Sequence, residues 1–165
     1  MTDVVIAQRE KFEPARTAPR GAALRLVIPS WKDPRVMVAV AQTLWVVLGQ
    51  TTYYFNRNPA QLTAAIGTAL VLDFVLMAVV VRQITVPLSA YLTGLSIGIL
   101  LESYDWRVFV VASAWGILSK YLIRGSKRHY FNPSNFGLIA VLLLCPDTAS
   151  IAPGSQWGAD YRVAL

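Results

Sequence analysis

Five apolar runs, at residues 36–54, 62–81, 87–101, 106–123 and 136–146, alternate with shorter polar segments. A membrane-crossing helix needs about 20 predominantly apolar residues, or about 17 at the short end. The first, second and fourth runs meet that length. The third and fifth, at 15 and 11 residues, predict helices that extend into their polar flanks, or broken or re-entrant ones. Backbone that leaves the helix at membrane depth is tolerated only where protein or a water-filled cavity shields it. Short, Gly/Pro-interrupted segments of this kind therefore mark candidate binding sites. The pattern predicts an all-α fold, a polytopic membrane helical bundle with about five transmembrane segments.

Residues 1–35 stand apart from these runs. They hold seven Lys/Arg, four acids and prolines at positions 14, 19, 29 and 34, and proline breaks any long helix. The stretch has no apolar core of the sort a cleavable signal needs, so it predicts a retained cytoplasmic tail. Residues 36–150 then form a transmembrane domain and 151–165 an extracytoplasmic segment. Orientation follows from charge. The tail, the 81–87 loop and the 120–131 loop fall on one side and carry twelve of the fifteen Lys and Arg residues, leaving Arg57, Arg107 and Arg162 for the other. Lys and Arg concentrate in cytoplasmic loops. The N-terminus is thus predicted in the cytoplasm, with the chain a multi-pass protein of a bacterial inner membrane. Tyr53, Tyr54, Tyr104, Trp106, Tyr121 and Tyr130 lie near the ends of the runs, where amphipathic rings favour the headgroup zone.

Composition agrees with a lipid-facing surface. Charged residues make up 15% of the chain and hydrophobic ones 55%, whereas a soluble domain carries about 25% charged. The pI of 9.8 arises from the same one-sided cations. They sit beside helix ends rather than in an aromatic-interleaved patch, which argues against a nucleic-acid partner and for anionic lipids. Cys145 and His129 are the only cysteine and histidine. They leave no intrachain disulfide and no multi-histidine metal or haem site, and no metal is expected.

Asp73 interrupts the second run. A carboxylate at the bilayer centre costs about 2.5–3.5 kcal/mol on insertion scales. Asp73 is therefore either a proton or cation site or a polar contact to a neighbouring helix, with Gln42 and Thr43 of the first run the partners at the best-matched depth. Gly94 and Gly98 form a Gly-xxx-Gly pair that predicts close helix packing, with close approach to a planar ligand as the alternative. Trp45 and Trp115 lie within helices, for packing or lipid contact, or against a quinone, flavin or pigment.

The polar segment before the fifth run carries the densest chemistry. Arg124, Lys127, Arg128 and His129 precede Phe131-Asn132-Pro133-Ser134-Asn135-Phe136-Gly137. Pro133 suits the first turn of a helix. Ser134 and Asn135 are expected to cap that helix or to bond backbone across the loop. A helix N-terminus presents free N–H groups and partial positive charge. Arg124, Arg128, His129, Asn132, Ser134 and Asn135 are therefore candidate cofactor-binding residues, suited to an anionic headgroup, a phosphate or a reduced flavin. The alternative is a capped helix beside a basic loop that sets topology, packed against neighbouring helices, a partner or lipid. No catalytic residue is assigned.

Tyr91-Leu-Thr-Gly-Leu95, Asp105-Trp106, Lys120 and Phe131-Asn-Pro133 together resemble the integral-membrane flavin subunits of the Rnf and sodium-pumping quinone reductase complexes, the RnfD/NqrB family. The resemblance covers roughly residues 34–150 and is nearest to solo RnfD-like homologues that read Asn-Pro-Ser-Asn-Phe-Gly. It implies a membrane helical bundle that works in electron transfer. Full-length members have about ten helices in two halves, and this chain resembles the first half. Their covalent flavin sits in a Ser/Thr-Gly-Ala-Thr motif, whereas this chain reads Thr93-Gly-Leu-Ser96, so no covalent cofactor is implied. A non-covalent flavin, quinone, pigment or lipid contact stays open.

Two function classes follow. One is a non-catalytic accessory subunit of a larger respiratory or photosynthetic electron-transfer complex, with other integral-membrane subunits as partners. The other is a redox subunit that contributes to a flavin or quinone site. A small homodimeric transporter is a third reading, and the one-sided charge argues against its antiparallel form.

Overall fold

The computed structural model describes residues 25–27, 33–52, 55, 57–81, 83–123 and 130–151. Each apolar run becomes one helix: α1 (Pro34–Thr52), α2 (Pro59–Leu76), α3 (Leu88–Leu100), α4 (Trp106–Leu122) and α5 (Pro133–Leu144). Among the described residues the fold is all-α apart from four strands of two or three residues. β1 (Arg25–Val27) pairs in parallel with β2 (Gln83–Thr85) at one end of the bundle. β3 (Leu101–Glu102) pairs antiparallel with β4 (Ser150–Ile151). The tail therefore contributes one strand among its described residues, and the C-terminal segment one.

Helix starts share a local cause. Asp33, Asn58, Asp105 and Asn132 each accept a hydrogen bond from the backbone N–H two residues on, at 3.0, 2.9, 2.9 and 3.2 Å. Three of the four are followed by proline, whose missing N–H costs nothing at the first helical position. Aspartate and asparagine at that boundary satisfy one of the helix's orphan donors.

Packing is antiparallel between sequence neighbours. A Cβ on Gly94 of α3 would lie 2.7 Å from Ile66 Cα, and one on Gly98 would lie 2.8 Å from Leu62 Cδ2. The rising number thus meets the falling one, and the Gly94/Gly98 pair is a close-packing face against α2. On the far side of α4, Gly116 meets the Pro133 carbonyl and Gly137 meets that of Ala112, which sets α5 antiparallel to α4. α2 touches both α3 and α4. Ala65, Ile97, Phe109, Ala112 and Val141 are fully buried where α2–α5 converge. α1 lies at the edge, joined through Val46, Leu62 and Leu95 and through Thr43 Oγ1, 2.6 Å from Tyr91 Oη.

Two departures from the expected spans stand out. Only Pro59–Val80, at 22 residues, is both long and apolar enough among the described helices to cross a membrane. α1 has the length, but Gln42, Thr43, Gln50, Thr51 and Thr52 lower its hydropathy. α4 stops at 17 residues. α5 has 12 residues, and it also starts deep. Its first residue reaches Gly116, and α4 continues six residues beyond that level to Leu122. At 1.5 Å per residue, the α5 N-terminus lies about 9 Å inside the end of α4.

Candidate functional site

Asp73 is 1% exposed and lies on the face of α2 that meets α4. Lys120 Nζ donates to its Oδ1 at 2.8 Å and its Oδ2 at 3.1 Å. Tyr121 Oη donates to Oδ1 at 2.7 Å and stands 3.4 Å from the Asp73 carbonyl oxygen. The Lys120 side chain is 17% exposed, and its ammonium lies 5.6 Å from the Tyr121 ring centroid. Ala69, Ala90 and Ile117, with Leu70, Leu72 and Leu76 around them, pack in the same layer. A carboxylate so enclosed is held only because charged and neutral donors converge on it, as buried ion pairs require.

The backbone of α2 changes just past Asp73. Residues Met77–Val81 form a π-helical turn, and the Met77 N–H is shared between the carbonyls of Asp73 and Phe74. Single π turns occur frequently at functional sites. The Asp73 carbonyl, which accepts the Met77 N–H just before this turn, is also the one the Tyr121 hydroxyl approaches.

The partner differs from the one the sequence pointed to. Gln42 and Thr43 do not meet Asp73. Thr43 bonds to Ala39 O and to Tyr91. Gln42 Oε1 is buried without a partner, on α1 at the edge of the bundle. Lys120 and Tyr121 hold the aspartate instead, because α2 and α4 run in the same direction and dock along their lengths.

At the recessed start of α5, Asn132 rather than Ser134 or Asn135 is the cap. Its Oδ1 accepts from the Ser134 N–H at 3.2 Å and from Ser134 Oγ at 2.9 Å. Ser134 is buried, and Asn132 and Asn135 are exposed. The Phe136 N–H bonds to Asn132 O at 3.0 Å, and the Phe131 and Phe136 rings lie 6.0 Å apart. The structure brings Asn132 and Ser134 together and leaves Asn135 pointing outward. Arg124, Arg128 and His129 lie outside the described residues.

A second charged centre, at the β3 end, was not singled out from the sequence. Arg57 is 6% exposed. Its Nη2 is 3.5 Å from Ile99 O, its guanidinium lies 6.0 Å from the Phe109 ring centroid, and its Nε has no partner. Burial pulls the guanidinium below its ordinary value, and attraction to Glu102 offsets part of that. Gln50 Nε2 donates to Arg57 O at 2.9 Å, and Gln61 Nε2 to Ser103 O at 2.7 Å. The sequence signal for this centre was an arginine between two apolar runs, which reads equally well as a solvated loop cation.

Comparison of the chain with protein-family profiles, curated proteins and solved structures returned no match.

Proposed function

We propose that this chain is a non-catalytic, integral-membrane accessory subunit of a larger electron-transfer complex, with its β1 end in the cytoplasm. The observation that carries the non-catalytic reading is the α5 N-terminus. Asn132 Oδ1 takes both donors of Ser134, so the polar knot closes a helix end instead of presenting its atoms to a cofactor. The outward faces support the membrane setting. Met37, Leu44 and Trp45 on α1, Val71 on α2, Val79 in the π turn after it and Leu143 on α5 are all exposed, and apolar surface of that extent is covered by lipid or by other membrane subunits. The link to electron transfer rests on the resemblance of the Tyr91–Leu95 and Asn132–Gly137 segments to membrane flavin subunits. Anionic lipid is the counterpart for the basic residues that precede α5.

An absorption spectrum of the purified complex, with subunit mass spectrometry, tests this reading. The expected result is co-purification with other membrane subunits, at the unmodified sequence mass for this chain. A flavin mass on this chain overturns the accessory role and leaves the redox-subunit reading. That second reading draws on the exposed Asn135 beside the α5 N-terminus.

The topology has its own test. In a Cys145→Ala background, Tyr104→Cys and Tyr130→Cys place single thiols on exposed residues at opposite ends of the bundle. An impermeant maleimide added to intact cells is expected to label position 104 and to spare position 130. Equal labelling of both removes the proposed orientation.

Capping gives a graded prediction. Asn132→Ala removes the acceptor for Ser134 and is expected to cost about 1 kcal/mol, read as a lower unfolding temperature and lower accumulation. Asn132→Asp keeps the acceptor and is expected to behave as wild type. Asn135→Ala removes no bond seen here and is expected to change neither quantity. Loss of redox activity in Asn135→Ala at normal accumulation would move the assignment to a cofactor site.

A further inference from the structure

We propose that Arg57 anchors a ligand site at the β3 end of the bundle, which takes a small planar monocarboxylate through two parallel hydrogen bonds from Nε–H and Nη2–H. The inference uses none of the features that support the accessory-subunit reading and stands independently of it.

The observation that carries it is an unused edge on a buried guanidinium. Arg57 is 6% exposed, and its Nε has no partner among the described residues. Nε–H and one Nη2–H lie on the same edge of the guanidinium and point the same way, the fork that matches a carboxylate. Nη2 has a 3.5 Å approach to Ile99 O, longer than the about 2.7–3.2 Å of an ordinary N–H···O bond. Ile99 is one residue from the end of α3 at Leu100, so its carbonyl is among those a helix C-terminus leaves without an intrahelical donor. A cation is favourable there, which accounts for the Nη2 contact. It does not account for Nε, a donor on a charged group enclosed without an acceptor, and such burial is costly.

The surroundings hold that edge in place. The Phe109 ring centroid lies 6.0 Å from the guanidinium carbon. Gln50 Nε2 donates to Arg57 O at 2.9 Å and ties the Arg57 backbone to α1. Gln61 Nε2 of α2 donates to Ser103 O at 2.7 Å, and Ser103 Oγ accepts from the Asp105 N–H at 3.1 Å, so the α3–α4 connection is pinned at the same end. α2 and α4 both begin here, at Pro59 and Trp106, and helix N-termini carry partial positive charge. Glu102 is the opposing influence. It attracts the guanidinium and offsets part of the effect of burial, so it competes with an added carboxylate.

Enclosure sets the size of the ligand. With Arg57 almost fully covered, an approaching group has only a few atoms to spare, which favours a free formate or acetate over an Asp or Glu carried on a partner's backbone. A flat group with two oxygens engages both donors of the fork at once, whereas a halide offers a single atom. Binding is non-covalent, and no proton or electron is transferred.

Thermal unfolding of the full chain in lipid nanodiscs, with sodium formate or sodium chloride at equal ionic strength, tests the site. Formate is expected to raise the unfolding temperature saturably, as a ligand of the folded state does, and chloride to leave it unchanged. Arg57→Lys keeps the charge and loses the fork, and is expected to abolish the formate shift. Glu102→Gln removes the competing carboxylate and is expected to lower the formate concentration that gives half the shift. Isotopic labelling of arginine nitrogens gives a readout on the wild-type chain, which serves even where Arg57→Lys fails to fold. The Nε–H resonance slowest to exchange with solvent is expected to move downfield when formate is added. No formate shift in the wild type, an equal response to chloride, a shift that persists in Arg57→Lys, or a slow Nε–H resonance that formate does not move each overturns the proposal.

Discussion

Lys120→Met is expected to lower accumulation of the folded chain severely, and Asp73→Ala to do the same. Each removes one half of the pair and strands either the enclosed Asp73 carboxylate or the largely covered Lys120 ammonium, which keeps 17% exposure. Breaking a buried ion pair by deleting one partner costs about 3–5 kcal/mol. That is a large part of the about 5–15 kcal/mol that holds a typical domain folded. Most of the cost is the stranded charge, since Asp73 is almost completely enclosed. The doubly neutral Asp73→Asn/Lys120→Met chain is therefore expected to recover most of the stability that either deletion loses. Fluorescence-detected gel filtration of the four chains, with thermal unfolding of those that survive, gives the coupling directly. Additive losses in the double variant would show that Lys120 and Asp73 act independently. Tyr121→Phe is expected to have a smaller effect, because Lys120 still holds both carboxylate oxygens.

The helices were legible in the sequence because each apolar run, including the two short ones, is separated from the next by polar residues. Their starts were less so. Only Asn132-Pro133 was recognised as a boundary, although Asp33-Pro34 and Asn58-Pro59 use the same device. The partner of Asp73 was not legible from depth. Asp73 is eight residues from the end of its π turn at Val81, and Lys120 is two from the end of α4. At 1.5 Å per residue these are about 12 Å and about 3 Å inside their helix ends, so counting inward from the ends set them at different levels. The long lysine stem closes the gap, and a run of residues along one chain does not reveal it. Gln42 matched in depth but sits on α1, which packs on α3. The Arg57 centre escaped for a related reason. Its burial comes from α3 and α4 folding over it, through Ile99 and Phe109, and not from any apolar residue beside it in sequence.

The recessed start of α5 joins these features. α5 descends to Gly116 because Gly116 and Gly137 have no side chains, and the two helices come into backbone contact there. That contact sets how deep the Asn132 cap lies and therefore how close the end of α5 comes to the level of Lys120. The glycines thus control the geometry of the β1 end even though neither belongs to the ion pair.

Gly137→Ala is accordingly expected to be disruptive out of proportion to one methyl group. Its Cβ would fall on the Ala112 carbonyl oxygen, with Ala112 C at 3.1 Å and Gly116 N at 3.2 Å. All three are backbone atoms of α4, so no side-chain rotation relieves the clash and the helices must separate. Overpacking of this sort costs about 1–3 kcal/mol, and separation also removes the seat of Pro133 on Gly116. Alanine is better than glycine in a helix by about 1 kcal/mol, which offsets part of the loss without reversing it. Gly67 of α2 is the internal control, since nothing lies within 4 Å of a Cβ placed there. Gly67→Ala receives the helix-propensity gain alone and is expected to raise the unfolding temperature slightly, while Gly137→Ala lowers it by several degrees or prevents accumulation. Equal behaviour of the two variants in the same thermal assay would show that α4 and α5 do not meet at backbone distance, and the recessed α5 start would fall with that contact.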